Sequence, residues 1–132
     1  MKQTKLQRVY LITAGFIGLT VGAASLLIPV AFHANSGIPI ADNTNLLNEI
    51  RGAGGAMLAG GLLIELGAFN NRMTLTSIAV SVALYLGYGL ARLTSMWIDG
   101  MPEQSLVIIA ALELIIGAIG VALLYKKGTA TI

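Results

Sequence analysis

Four long apolar stretches, over about residues 9–32, 46–69, 75–98 and 105–125, leave this chain few ways to fold. Each approaches or exceeds the ~20 residues an α-helix needs to cross a ~30 Å hydrocarbon layer. With 132 residues, 56% hydrophobic and only 11% charged, a water-soluble domain could not hide so much apolar surface. Turn-forming residues separate the stretches. Asn35, Gly37, Pro39, Asp42 and Asn43 punctuate the first link, Asn70-Asn71-Arg72 makes a tight second, and Asp99-Gly100-Met101-Pro102 a third. The two short links force neighbouring helices antiparallel. The expected fold is therefore all-α, an integral membrane antiparallel four-transmembrane-helix bundle forming one domain over residues 1–132.

Charge placement predicts an orientation. Lys2, Lys5, Arg8, Arg72, Lys126 and Lys127, six of the eight basic residues, fall on one side of such a bundle. That side is expected in the cytoplasm with both termini, and the bias argues against a dual-topology protein. The basic start followed by an apolar run resembles a secretory leader, but the run is about twice the length of a leader's apolar core, and it reads as a retained helix. A net charge of +2, scattered along the chain, argues against nucleic acid as a partner. The absence of cysteine removes disulfides, thiolate metal sites and thiol nucleophiles.

Helices in lipid associate through close backbone approach, so small residues at helical spacing mark contact faces. Gly15, Gly18, Gly22 and Ser25 line one face of the first helix. Gly52, Ala56 and Gly60 do so in the second, Ala83, Gly87 and Ala91 in the third, and Ala110, Gly117 and Gly120 in the fourth. Packing within the bundle is the expected use of these stripes, with a homo-oligomer face as the alternative for one of them.

Ionisable groups at membrane depth carry the functional signal, because a charge in hydrocarbon costs on the order of 3 kcal/mol and needs a partner or a polar cavity. Glu49 and Arg51 begin the second helix, Arg92 lies about two turns from the end of the third, and Glu113 about two turns into the fourth, which sets all of them within ~15 Å of the same membrane face. Tyr85, Tyr88, Arg92, Ser95 and Asp99 recur at three- and four-residue intervals and form one polar stripe. Glu113 shares its face with Gly117 and Gly120 and points inward. Glu49 shares its face with Gly52 and Ala56, while Arg51 points nearly opposite, so one of the two is expected at the headgroups. These eight residues, Glu49, Arg51, Tyr85, Tyr88, Arg92, Ser95, Asp99 and Glu113, are the candidate binding set. Salt bridges that fix helix register are the plainer explanation of the same charges.

Other features predict less. Glu65 is expected to snorkel or to pair with Arg8 or Arg72. His33, the sole histidine, reads as a solvated loop residue, and Trp97 as an interface anchor. The Gly52-x-Gly54-Gly55 run lacks the setting of a phosphate loop and reads as packing. No catalytic constellation, metal-ligand cluster or cofactor motif is recognisable.

The string Asn48-Glu49-x-Arg51-Gly52-x-Gly54-Gly55, then Arg92-x-x-Ser95-x-x-x-Asp99-Gly100-x-Pro102 and Glu113, resembles a bacterial family of four-helix membrane proteins known as domain of unknown function 4345. The resemblance spans nearly the whole chain and implies a bacterial inner-membrane location, with Glu49, Arg51, Arg92, Asp99 and Glu113 acting as a set; it brings no activity. The layout also looks distantly like the DoxX-like membrane proteins, some of which serve quinone-linked or complex-bound roles. The leading expectation is a non-catalytic protein. It is either a subunit or scaffold of a larger membrane complex or a binder of a lipid-like, quinone-like or anionic small molecule in an outer-facing Arg/Glu pocket. A small-solute or proton-coupled transporter or channel is the alternative, and a lipid- or quinone-linked membrane enzyme the second.

Overall fold

A computed structural model describes residues 2–128, with side chains as far as Lys126; the Lys127 side chain and residues 129–132, which enter the expected placement of the carboxyl end, lie outside the described residues. The elements are α1 (Lys5–Leu27), α2 (Pro29–Ala34), α3 (Thr44–Phe69), α4 (Thr74–Asp99) and α5 (Gln104–Gly128), and no strand occurs among the described residues. Four of the helices, all but α2, are long and apolar enough to cross a membrane.

The first expected span differs at both ends. Thr4 caps α1 by accepting from the Gln7 amide while the Gln7 side chain returns to the Thr4 amide, a reciprocal pair that starts the helix at Lys5. At the other end Pro29 disfavours helical backbone at the residue before it, and Ile28 leaves the helix at φ −130°, ψ 49°. Pro29 then opens α2, where its missing N–H is harmless. One expected helix over 9–32 is thus two. The short α2 and the loop after it cap this end of the bundle, with Ile40 buried and Gly37, at φ +69°, lying against the Glu103 side chain just ahead of α5.

Glycines make the closest seam, between α1 and α3. Gly15 meets Glu65, Gly18 meets Gly61, and Gly22 meets Leu58 and Gly54, so residue numbers fall along α3 as they rise along α1. A Cβ on Gly61 would stand 2.6 Å from the Leu19 amide nitrogen and 2.8 Å from the Gly18 carbonyl carbon, backbone atoms that cannot step aside. The α4–α5 seam is looser, setting Leu114 against Gly89, Leu86 against Gly117 and Val82 against Gly120. Between the two pairs lies the core of Tyr10, Leu11, Ala14, Met57, Ile64, Ala68, Ile78, Tyr85 and Leu123.

Hydroxyls tie the pairs together in the interior, where an unsatisfied polar group is costly. Tyr10 donates to the Ile116 carbonyl at 3.0 Å, so the Ser81 hydroxyl, 2.8 Å away, is left to donate to Tyr10. Tyr85 donates to the Ala14 carbonyl, and Ser77 to the Leu63 carbonyl at 2.6 Å. Near the Asn70 turn, Gln3 donates to the Gly67 carbonyl at 2.6 Å and to the Thr74 hydroxyl at 3.0 Å.

Not every small-residue stripe is used. Those of α1 and α5 are packed as expected, but Gly52 and Ala56 of α3 and Ala83, Gly87 and Ala91 of α4 are exposed, a correction to packing within the bundle for all four. The reason is divergence. α3 and α4 touch near their shared turn and again where Gly60 meets Leu84, whereas Gly52, Gly55 and Gly87 have open space where a side chain would stand. What remains toward the α2 end is an apolar groove of about 320 Å³ lined by Ala83, Leu84, Gly87, Tyr88 and Ala91.

Candidate functional site

Arg92 and Glu113 are brought together as their shared depth suggests. Arg92 Nε donates to Glu113 Oε2 at 2.9 Å, between side chains that are 32% and 8% exposed. Helix geometry explains the meeting. Gly89, one turn before Arg92, lets α5 close in on α4 at Leu114, next to Glu113. Arg92 uses only Nε for this bond; neither of its terminal Nη groups has a protein partner among the described residues. A planar guanidinium with two such groups free can hold a carboxylate or phosphate edge.

The rest of the expected set is dispersed. Tyr88 is half-buried in the groove wall, one turn from Arg92 on the same helix. Ser95 donates to Asp99 Oδ2 at 3.0 Å, both exposed at the end of α4. Tyr85 is buried in the core and spends its hydroxyl on α1. Arg51 is exposed and donates to the Leu26 carbonyl, one of the acceptors left unpaired where α1 ends, so this arginine finishes a helix rather than joining Arg92. Glu49 is exposed at the start of α3, on the face it shares with Gly52 and Ala56.

Two residues stand in surroundings the sequence did not suggest. Glu65 pairs with neither Arg8 nor Arg72: it packs against Gly15, with Oε2 buried and unbonded, while the Arg8 guanidinium lies 5.7 Å over the Phe69 ring. A glycine opposite a carboxylate leaves room for the side chain to fold into the seam rather than extend to the surface. His33 is not a solvated loop residue. It lies on α2, half-buried, its ring edge-on to Phe32 at 5.2 Å, with Nε2 buried and without a hydrogen bond. Burial, and secondarily the positive charge of Arg92, hold its pKa below the ordinary imidazole value. The only local signal for this was Pro29, which turns the chain back over the bundle.

The site therefore comprises a half-exposed arginine held by a buried carboxylate and an apolar groove along α4, with the half-buried imidazole of His33 on α2. No group of three or more metal-ligating side chains is present among the described residues. Trp97, 88% exposed, stands near the same end of α4, where an indole suits a membrane interface. No curated protein and no solved structure matches the chain. A family model does match, over residues 6–124, which takes in most of each long helix together with Arg92, Glu113 and His33: the chain belongs to the family described as domain of unknown function (DUF4345).

Proposed function

We propose that this is a non-catalytic, multi-pass protein of the bacterial inner membrane that binds a lipid-like molecule through an anionic group at the outer end of the bundle. In this reading α1, α3, α4 and α5 form an antiparallel transmembrane bundle, an arrangement supported by the falling and rising residue numbers along each seam. The basic residues Lys2, Lys5, Arg8 and Arg72 lie with the amino terminus and the Asn70 turn on the cytoplasmic side, and α2 lies outside.

The observation that carries the binding reading is Arg92. Arg92 follows Ala91, the last residue of an apolar groove that begins at Ala83, and its Nη groups have no partner among the described residues. A register-fixing salt bridge requires the Arg92–Glu113 bond but neither the free nitrogens nor the groove. An amphiphile with its anionic group on Arg92 and its chain along α4 uses both. The groove is open to the side, as entry from a bilayer leaflet requires. Transport along the bundle has less support, since the core between Arg92 and the Asn70 turn is filled by Ile64, Ile78 and Tyr85. A membrane enzyme would need a reactive pair, and Glu113 is already engaged by Arg92.

Native mass spectrometry of protein released from membranes tests the reading. The wild type should carry an anionic lipid that Arg92→Gln and Gly87→Leu lose, the first by removing the charge and the second by filling the groove. Identical bound species in all three proteins would refute it. The exposed stripe of Ala83, Gly87 and Ala91 favours a second reading, contact with another membrane subunit or a second copy. That reading predicts a complex whose mass changes with Gly87→Leu but not with Arg92→Gln.

A further inference from the structure

At three- and four-residue intervals α4 carries Thr74, Ser77, Ser81, Tyr85 and Tyr88, and then Arg92. The first four are buried, and each hydroxyl is spent inside the bundle: Thr74 on the Gly67 carbonyl, Ser77 on the Leu63 carbonyl, Ser81 on Tyr10 and Tyr85 on the Ala14 carbonyl. Tyr88 breaks the series. It packs against the core and is half-buried, but it also lines the open groove, and its hydroxyl has no partner among the described residues. A phenol in apolar surroundings normally finds a hydrogen bond, so a groove walled by this one suits an occupant that brings an acceptor.

We propose that the groove takes the acyl ester of a glycerophospholipid, the Tyr88 hydroxyl donating to the ester carbonyl while Arg92 holds the phosphate. This rests on the amphiphile reading of Arg92 given above and names the class of amphiphile. Tyr88 and Arg92 are four residues apart, which puts them on one face of α4 at about 6 Å along its axis. In a glycerophospholipid the glycerol carbons hold the phosphate and the nearer ester carbonyl about one helical turn apart, so both contacts can form at once. The order along the helix matches the order along the lipid. Arg92 is followed inward by Tyr88 and then by Gly87, Leu84 and Ala83, as phosphate, ester and acyl chain follow one another into a leaflet. Open space over Gly87 leaves room beside the phenol for the start of the chain.

Other amphiphiles use less of the site. A fatty acid would put its carboxylate on Arg92 and have only methylenes to offer Tyr88. A quinone would bring a carbonyl to Tyr88 but no anion to Arg92. Arg92 therefore supplies most of the affinity for an anionic lipid, and Tyr88 the discrimination among such lipids. One neutral hydrogen bond sets that discrimination at about fivefold over a lipid that lacks the carbonyl.

Titration calorimetry of detergent-solubilised protein provides the test, with two lipids that share headgroup and chain length: diacyl phosphatidylglycerol and its dialkyl ether analogue, each in neutral micelles of an ester-free detergent. The wild type should bind the ester lipid about fivefold more tightly than the ether lipid. Tyr88→Phe, which keeps the ring and removes only the hydroxyl, should bind both with the wild-type affinity for the ether lipid. Arg92→Gln should weaken both alike. In infrared spectra the carbonyl stretch of isotope-labelled ester lipid should move to lower frequency on the wild type and not on Tyr88→Phe. Equal affinity of the wild type for the two lipids, or a preference for the ester that survives in Tyr88→Phe, overturns the ester contact and leaves the amphiphile reading standing. No binding of either lipid by the wild type, or undiminished binding by Arg92→Gln, overturns both.

Discussion

Removing Arg92 while leaving Glu113 in place should destabilise the protein more than removing both charges. The pair meets at 2.9 Å with the carboxylate side chain only 8% exposed, so truncating Arg92 strands Glu113 in surroundings that cannot solvate it. With charge centres about 4 Å apart and an effective dielectric of ~20, the attraction is about 4 kcal/mol. The Arg92 side chain is 32% exposed, and solvent screening reduces the useful coupling to about 2 kcal/mol. Arg92→Ala, which loses the coupling and adds the cost of an unpaired buried charge, is expected to cost about 3 kcal/mol. Glu113→Gln keeps an acceptor for Nε and should cost about 1 kcal/mol. The double variant, with no charge left to strand, should be more stable than Arg92→Ala alone. Reversible unfolding in mixed micelles of increasing dodecyl sulfate fraction, followed by the fluorescence of Trp97, closes the cycle. Free energies that add within about 0.5 kcal/mol would show that the two side chains do not interact, and the account of the site built on them would fall.

Gly61→Ala should destabilise by about 2 kcal/mol or more, because its Cβ meets α1 backbone, whereas Gly52→Ala, facing open space, should stabilise α3 by about 0.5–1 kcal/mol; the same unfolding assay separates them, and equal effects would contradict the α1–α3 seam. The chain has no cysteine, so single cysteines at Ser36 and Asn71 report topology directly: an impermeant thiol reagent should label the first on intact cells and the second only after lysis, and the reverse pattern would invert the orientation. Without ligand, burial lowers the His33 pKa, so the unfolded chain takes up a proton before the folded one does. Wild-type stability should therefore fall as pH drops below about 6.5 and level off below the folded-state value of His33, with a shallower fall in His33→Gln.

Several features were legible in the sequence because they depend on length and local chemistry alone. Four helices follow from the number of consecutive apolar residues, since the thickness of a hydrocarbon layer sets how long a span must be. Turns at Asn70 and Gly100 follow from residues that favour them, and the meeting of Arg92 with Glu113 follows from their similar distance from the turn that joins α4 to α5. The use of each small-residue stripe was not legible. Gly15-Gly18-Gly22 and Ala83-Gly87-Ala91 read alike as close-approach faces, yet the first is sealed against α3 and the second lines an open groove. A stripe permits contact without naming its partner; the tight α1–α3 seam, and the divergence of α3 from α4 beyond Leu84, decided which contacts formed. Nor could sequence spacing place His33, which stands far along the chain from Arg92. Pro29 marks where the helix must break, but only the path of the chain after that break, back across the bundle end, buries the imidazole nitrogen.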